Sequence, residues 1–239
     1  MAARTRASRS RGVPEVMEPI LRAEAGWEET LADALRRIDR PIPVELRFAP
    51  RDAAGRANLA RYDRDASPPA RAAATLLLLY PDLDGELTVP LTVRHAELRS
   101  HAGEVSLPGG AVEAGDRDRA AAALREAHEE IGVEPDTVRV LGSLDDVWIP
   151  VSNYRVRPYV AAMAARPRLI PHVEEVAAVL EVPVRRLLAP DAVTEEEIDV
   201  HGFRLRAAVY RYAGERIWGA TARALAMFAS VVQEASRAS

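Results

Sequence analysis

Three carboxylates on one helical turn constrain this chain more than any other feature. The stretch Gly109 to Val133 reads GGAVEAGDRDRAAAALREAHEEIGV. At about 100° per residue, Glu130 lies about 40° from Glu126 and Glu129 about 60° to the other side. Ala120, Ala123, Leu124, Ala127 and Ile131 form an adjoining apolar arc. Such a helix can bury one side while its acids line a cleft. Like charges at these spacings cost a helix a few tenths of a kcal/mol per pair. A hard, oxygen-seeking cation such as Mg²⁺ or Mn²⁺ removes that cost. A bare E-x-x-E-E is more often a solvated acidic face. Here a Gly-Gly loop precedes the helix, Asp116 or Asp118 can cap it, and Gly132 can end it. That context favours a metal site at Glu126, Glu129 and Glu130.

Upstream, Leu91 to Gly110 reads LTVRHAELRSHAGEVSLPGG. Arg94, Arg99 and His101 precede a Pro-Gly-Gly turn whose backbone, at Gly109 and Gly110, can approach a ligand closely. Guanidinium groups pair well with diphosphate oxygens. Any one of these arginines alone would be read as surface.

The helix resembles the box of the Nudix hydrolases, G-x5-E-x7-R-E-U-x-E-E-x-G-U, with U a bulky apolar residue. Arg125, Glu126, Ala127, Glu129, Glu130, Gly132 and Val133 match its second half. The first half departs, with Ala111 and Arg117 where Gly and Glu stand. Moving the register by one residue recovers Gly110 and Asp116, so the loop-helix junction is one residue longer. The upstream segment resembles the coenzyme A pyrophosphatase branch, L-L-T-x-R-[SA]-x3-R-x3-G-x3-F-P-G-G. It matches at Leu91, Thr92, Arg94, Arg99, Gly103, Pro108, Gly109 and Gly110, and departs at Pro90, His95 and Leu107. Glu175-Val176, Val182-Pro183 and the run Ile217, Trp218, Gly219, Thr221, Ala222 resemble later segments of the same branch. The resemblance spans roughly Ala70 to Val232.

It implies hydrolysis of a diphosphate linkage with Mg²⁺ or Mn²⁺, most specifically of coenzyme A or its derivatives to 3′,5′-ADP and (acyl-)4′-phosphopantetheine. Glu126, Glu129 and Glu130 would hold the metal, and Arg125, one turn before Glu129, would orient that carboxylate. Arg94, Arg99, His101, Gly109 and Gly110 would hold the substrate. The general base is left between Glu130 and Glu175. Asp116 is a weaker candidate for a supporting or capping role, and His128 is read as surface. An apolar groove near Leu107 would take the pantetheine arm. Two other readings compete: a Nudix enzyme for ADP-ribose, NADH or a nucleotide sugar, and a catalytically silent Nudix binding module. The intact carboxylate set argues against the second.

With 239 residues and a net charge of −4, the chain offers one ordinary domain plus an extension and no global field for nucleic acid. It has no cysteine, which excludes thiolate metal sites and a disulfide framework and suits a cytoplasmic protein. All 32 basic residues are arginine. The longest apolar run, Ala72 to Leu79, is too short to span a bilayer. The expected partner is a small molecule, with no nucleic acid and no membrane; a homodimer is allowed.

Three segments follow. Residues 1–26 read as a disordered Arg-rich tail, on the composition of Met1 to Arg11. Residues 27–70 read as a helix, Trp27 to Arg40, and an irregular cover from Arg47 to Ala70. Residues 71–239 read as the Nudix domain. Strands are expected at Ala73–Tyr80, Glu86–Val93, Thr137–Val147, Tyr154–Met163, Val173–Val182 and Phe203–Tyr212. Pro90 suggests a bulge or an edge in the second. A helical turn is expected at Leu187–Leu188, and a closing helix from Ile217 to Ala235. Strand pairs mixed with long helices indicate an α/β architecture. The resemblance makes it an α/β/α sandwich on a mixed sheet, a single domain with an N-terminal extension.

Overall fold

The computed structural model of the protein describes residues 13–49, 69–95, 104–149, 151–200 and 203–237. Within them run α1 (Glu18–Leu21), α2 (Trp27–Arg37), β1 (Arg71–Pro81), β2 (Leu87–Arg94), β3 (Val105–Ser106), β4 (Gly109–Ala111) and α3 (Arg119–Ile131). There follow β5 (Arg139–Ser143), β6 (Val147–Ile149), β7 (Tyr154–Ala162), β8 (Val176–Pro183), α4 (Val184–Leu187), β9 (Val193–Val200), β10 (Phe203–Tyr212), β11 (Glu215–Ile217) and α5 (Gly219–Arg237).

β1 is the axis of the larger sheet. Its run of leucines is apolar at every position because both faces are covered. Ala74, Leu76, Leu78 and Tyr80 pack under Ala122, Ala123, Ala127 and Ile131 of α3. Leu77 and Leu79 join the opposite cluster with Leu31 and Leu35 of α2 and Met227, Phe228 and Val231 of α5. The result is helix, mixed sheet, helix: the expected α/β/α sandwich. β7 runs parallel to β1 from Arg71↔Tyr154 to Leu79↔Ala162. β9, β10 and β11 form a separate antiparallel sheet.

The pairing of β1 and β2 positions the site. The two strands form a hairpin but pair only at Tyr80↔Thr88 and Pro81↔Leu87. Beyond that they part. β4 fills the wedge along β1, from Ala73↔Ala111 to Thr75↔Gly109. β3 fills it along β2, at Thr92↔Ser106 and Val93↔Val105. β8 covers the other edge of β2. Pro90 is therefore in an internal strand, not at an edge; β2 does carry an irregularity in its pairing with β8, but between Val93 and Arg94. Pro90 falls between the end of the β1 pairing and the start of the β3 pairing, where its missing N–H costs little.

Several sequence expectations are corrected. Thr137–Val147 is two strands, because Asp145 and Asp146 leave the ladder for Arg40 and for Arg119 and Arg157. The strand expected from Val173 starts at Val176, and β9, with its charged TEEEID run, was missed. α2 ends at Arg37, three residues early. Residues 13–26 are not tail. Met17, Ile20 and Leu21 repeat at helical spacing and enter the core, and Arg185 of α4 donates to Glu18 at 2.7 and 2.8 Å. Most of the expected cover, residues 50–68, lies outside the described residues, as does Met1 to Arg11. Among the described residues, no helix is long and apolar enough to cross a membrane.

Candidate active site

α3 is set by its own ends. Asp118 Oδ1 accepts from Ala121 N at 2.8 Å as the N-cap, and Gly132 closes the helix with φ 71°. Asp116 is free of capping and does something else. Arg125 Nε and Nη2 donate to its two oxygens at 3.1 and 3.2 Å. The remaining donors of Arg125 reach Ala111 O at 3.1 Å, Glu126 Oε1 at 3.1 Å and Glu129 Oε2 at 3.0 Å. One planar guanidinium thus joins the glycine loop, the loop before α3 and two box carboxylates. These bonds, first of all those from Arg125, hold Asp116 below its ordinary value. They raise Arg125 in turn.

The glycines let the loop come close. Gly109 has φ 152°, and a Cβ there would lie 2.3 Å from Ala74 O and 2.6 Å from Thr75 Cα. A Cβ on Gly110 would lie 2.5 to 2.7 Å from the carboxylate atoms of Glu126. Glu126 therefore rests directly on bare backbone. Gly109 N donates to Glu130 Oε2 at 3.3 Å.

The three box acids are not equivalent. Glu130 is buried, with 5% of its side chain exposed, and Arg94 Nη1 stands 3.6 Å from its Oε1. Burial pushes its carboxyl up to about 7; Arg94 and the Gly109 N–H oppose the rise, and the charges of Glu126 and Glu175 add to it. Glu126 is half-buried and also raised, by burial first, with Arg125 opposing and Glu129 and Glu175 adding repulsion. Glu129 is 54% exposed at the rim. Glu175 is exposed at the start of β8, and its backbone carbonyl accepts from His95 N at 3.1 Å. So β2, β4, α3 and β8 bring Arg94, Gly109, Gly110, Glu126, Glu130 and Glu175 to one mouth, in the wedge between the parted strands.

Among the described residues, no three acidic or imidazole side chains already stand as a closed ligand cage, and Arg125 bridges Glu126 and Glu129. The donor chemistry still fits a hard divalent cation. All donors are oxygen, Gly110 puts no side chain over Glu126, and two carboxylates are desolvated beside one another with their charge incompletely matched.

Arg99 and His101 lie outside the described residues. Leu107 is 3% exposed in the core, so it lines no open groove. His128 is exposed and sits 3.7 Å from Glu134, away from the acids. The sequence carries no expectation for residues 164–172, which cross the end of α3. Their only local signal is the spacing of Pro167 and Pro171, which forbids a helix.

The NUDIX domain family model matches residues 70–209. Nudix hydrolase 15, mitochondrial, of Arabidopsis thaliana is 38% identical over 178 residues, covering 72% of this chain and 62% of that protein. The chain thus spans less than two thirds of that relative's length. The uncharacterized Nudix hydrolase NudL of Pectobacterium atrosepticum is 39% identical over 135 residues, 56% of this chain and 70% of that protein. A solved Nudix hydrolase from M. smegmatis, RenU, is 27% identical with a TM-score of 0.42, covering 49% of this chain and 73% of that one. The wedge with its carboxylate helix lies inside the matched region, and the chain belongs to the Nudix hydrolase family.

Proposed function

We propose that the protein is a divalent-metal-dependent diphosphatase of nucleoside diphosphate derivatives, with coenzyme A or its thioesters as substrate. The observation that carries the reaction type is the pair Glu126 and Glu130, desolvated, mutually repelling and set on a bare Gly109-Gly110 turn. The segment Leu91 to Gly110 carries the substrate class.

Glu126, Glu129 and Glu130 would hold Mg²⁺ or Mn²⁺. When bound, such an ion neutralises diphosphate oxygens and makes a water nucleophilic near neutral pH. The chain's own residues do the rest. Arg125 fixes Glu126 and Glu129 in orientation and ties them to the Ala111 carbonyl. Arg94, at the mouth beside Glu130, is the guanidinium placed to meet a phosphate oxygen. Arg99 and His101 join it in the substrate role. Once Glu130 is committed to a cation, Glu175 is the acid left to take the proton of the attacking water. It is exposed at the start of β8, and its charge is felt at both Glu126 and Glu130. Glu175→Gln should cut kcat by about 10²-fold or more with metal affinity kept. Unchanged turnover would hand the base role to Glu130.

The test of the whole reading is hydrolysis with Mg²⁺ or Mn²⁺ over coenzyme A, acyl-coenzyme A, ADP-ribose, NADH and nucleotide sugars. 3′,5′-ADP and 4′-phosphopantetheine are the expected products. If another substrate is cleaved far better by kcat/KM, the diphosphatase stands and coenzyme A falls. If none is cleaved with either metal, the protein is a binding module.

A further inference from the structure

Residues 163–175 join β7 to β8 and run across the last turn of α3. Their backbone does what a cap does. Ile170 N donates to Ile131 O and His172 N to Glu130 O, each at 2.8 Å. These carbonyls belong to the last turn, which a helix cannot satisfy itself. The contact is close-packed as well. A Cβ on Gly132 would lie 3.1 Å from Ile170 Cβ, and Leu169 packs against the cluster under α3. The segment then turns back, with Glu175 N and Val176 N donating to His172 O at 3.0 and 2.9 Å. One strap therefore grips the backbone of Glu130 and carries Glu175.

The strap is anchored at its start. Arg166 Nε and Nη2 meet the two oxygens of Glu181 at 2.9 and 2.5 Å, a bidentate pair. Tyr80 OH, from a fully buried side chain, donates to Glu181 Oε2 at 2.9 Å. Glu181 lies in β8 and Tyr80 near the end of β1, so the pair ties the strap to both halves of the parted sheet. Met163 N adds a bond to Leu79 O at 2.9 Å. Of this anchor only Arg166 belongs to the strap through its side chain.

We propose that Arg166 is a positioning residue for the reaction. By clamping Glu181, it holds the strap so that Glu130 and Glu175 keep their places at the mouth. It touches neither substrate nor cation. The inference rests on the active-site reading above for its effect on rate, and on the backbone bonds alone for its effect on the strap.

The test uses the full chain and three forms: wild type, Arg166→Ala and Arg166→Lys. Amide hydrogen exchange over residues 167–175 reads the strap, and steady-state kinetics at a temperature well below melting read the site. Arg166→Ala should speed exchange of the strap amides about tenfold or more. It should also lower kcat about tenfold to a hundredfold, the scale of a small misplacement of a reacting group, with KM changed much less. Arg166→Lys should recover part of both. Exchange unchanged in Arg166→Ala overturns the proposal, whatever the activity. Faster exchange with kcat unchanged also overturns it, leaving a merely structural clamp. If the wild type cleaves no diphosphate, the function above fails by itself, and the anchor is then decided on exchange alone.

Discussion

At the scale of single residues, burial sorts three neighbouring glutamates into different tasks. Glu130 binds its proton more tightly in the fold than in the unfolded chain, about 7 against 4.5. Between those values the native state holds the extra proton, so this group's contribution to stability falls as pH rises through the window. Over the whole window the effect is on the order of 3 kcal/mol. Asp116 runs the other way: held low by Arg125, it contributes stability above its unfolded 3.8 that is lost as pH falls further. Glu130→Gln should flatten the loss between pH 5 and 8 and raise the melting temperature of metal-free protein at pH 8. Urea melts of both forms across that range decide it; a flat wild-type curve sinks the assignment. Glu129→Gln, at the exposed rim, should keep the fold and remove nearly all turnover.

The two loop glycines separate stability from chemistry at the same scale. A methyl at Gly109 meets backbone atoms that cannot yield, on a φ that side chains rarely adopt. Gly109→Ala should cost on the order of 2 kcal/mol or more. The atoms nearest a methyl at Gly110 are the end of the Glu126 side chain, which can swing away. Gly110→Ala should melt close to wild type yet lose activity about tenfold or more, as Glu126 leaves its place. Equal losses of stability in the two variants would contradict the geometry.

Among elements, α1 is the informative case. Ile20 and Leu21 are buried, and Glu18 ties α1 to Arg185. Deleting residues 1–11 should leave melting temperature and turnover nearly unchanged, since that stretch has no apolar periodicity to bury. Deleting residues 1–21 removes large core side chains, each worth about 2–5 kcal/mol by truncation, and should leave little folded protein. Circular dichroism melts of the two truncations test the contrast. A large loss from the shorter deletion would place the arginines in the fold or the site.

For the whole molecule, the open question is how a wedge between parted strands takes up a cation. Mg²⁺ or Mn²⁺ binding only the folded site should raise the melting temperature. The rise should be larger at pH 8 than at pH 6, because the ion competes with the proton on Glu130. Glu126→Gln should abolish most of it. A metal shift of equal size in that variant would place the ion elsewhere.

Local features are legible in the sequence. The α3 carboxylate face, its Asp and Gly ends and the buried run of β1 follow from spacings of one to four residues, where helix pitch and strand alternation leave few choices. The sequence also narrowed the cap to Asp116 or Asp118. The choice between them came from the fold, because the answer turns on where the Arg125 guanidinium reaches. The same holds for the partners of Glu130. Arg94, Gly109 and His172 come from three other segments, and no periodicity encodes their meeting. Local signals also suggested an edge at Pro90 and a tail at residues 13–26, since whether a proline or a short apolar turn is tolerated depends on which strand or core stands beside it. Chain spacing set the chemistry available to this protein, and the parting of β1 from β2 set where that chemistry is assembled.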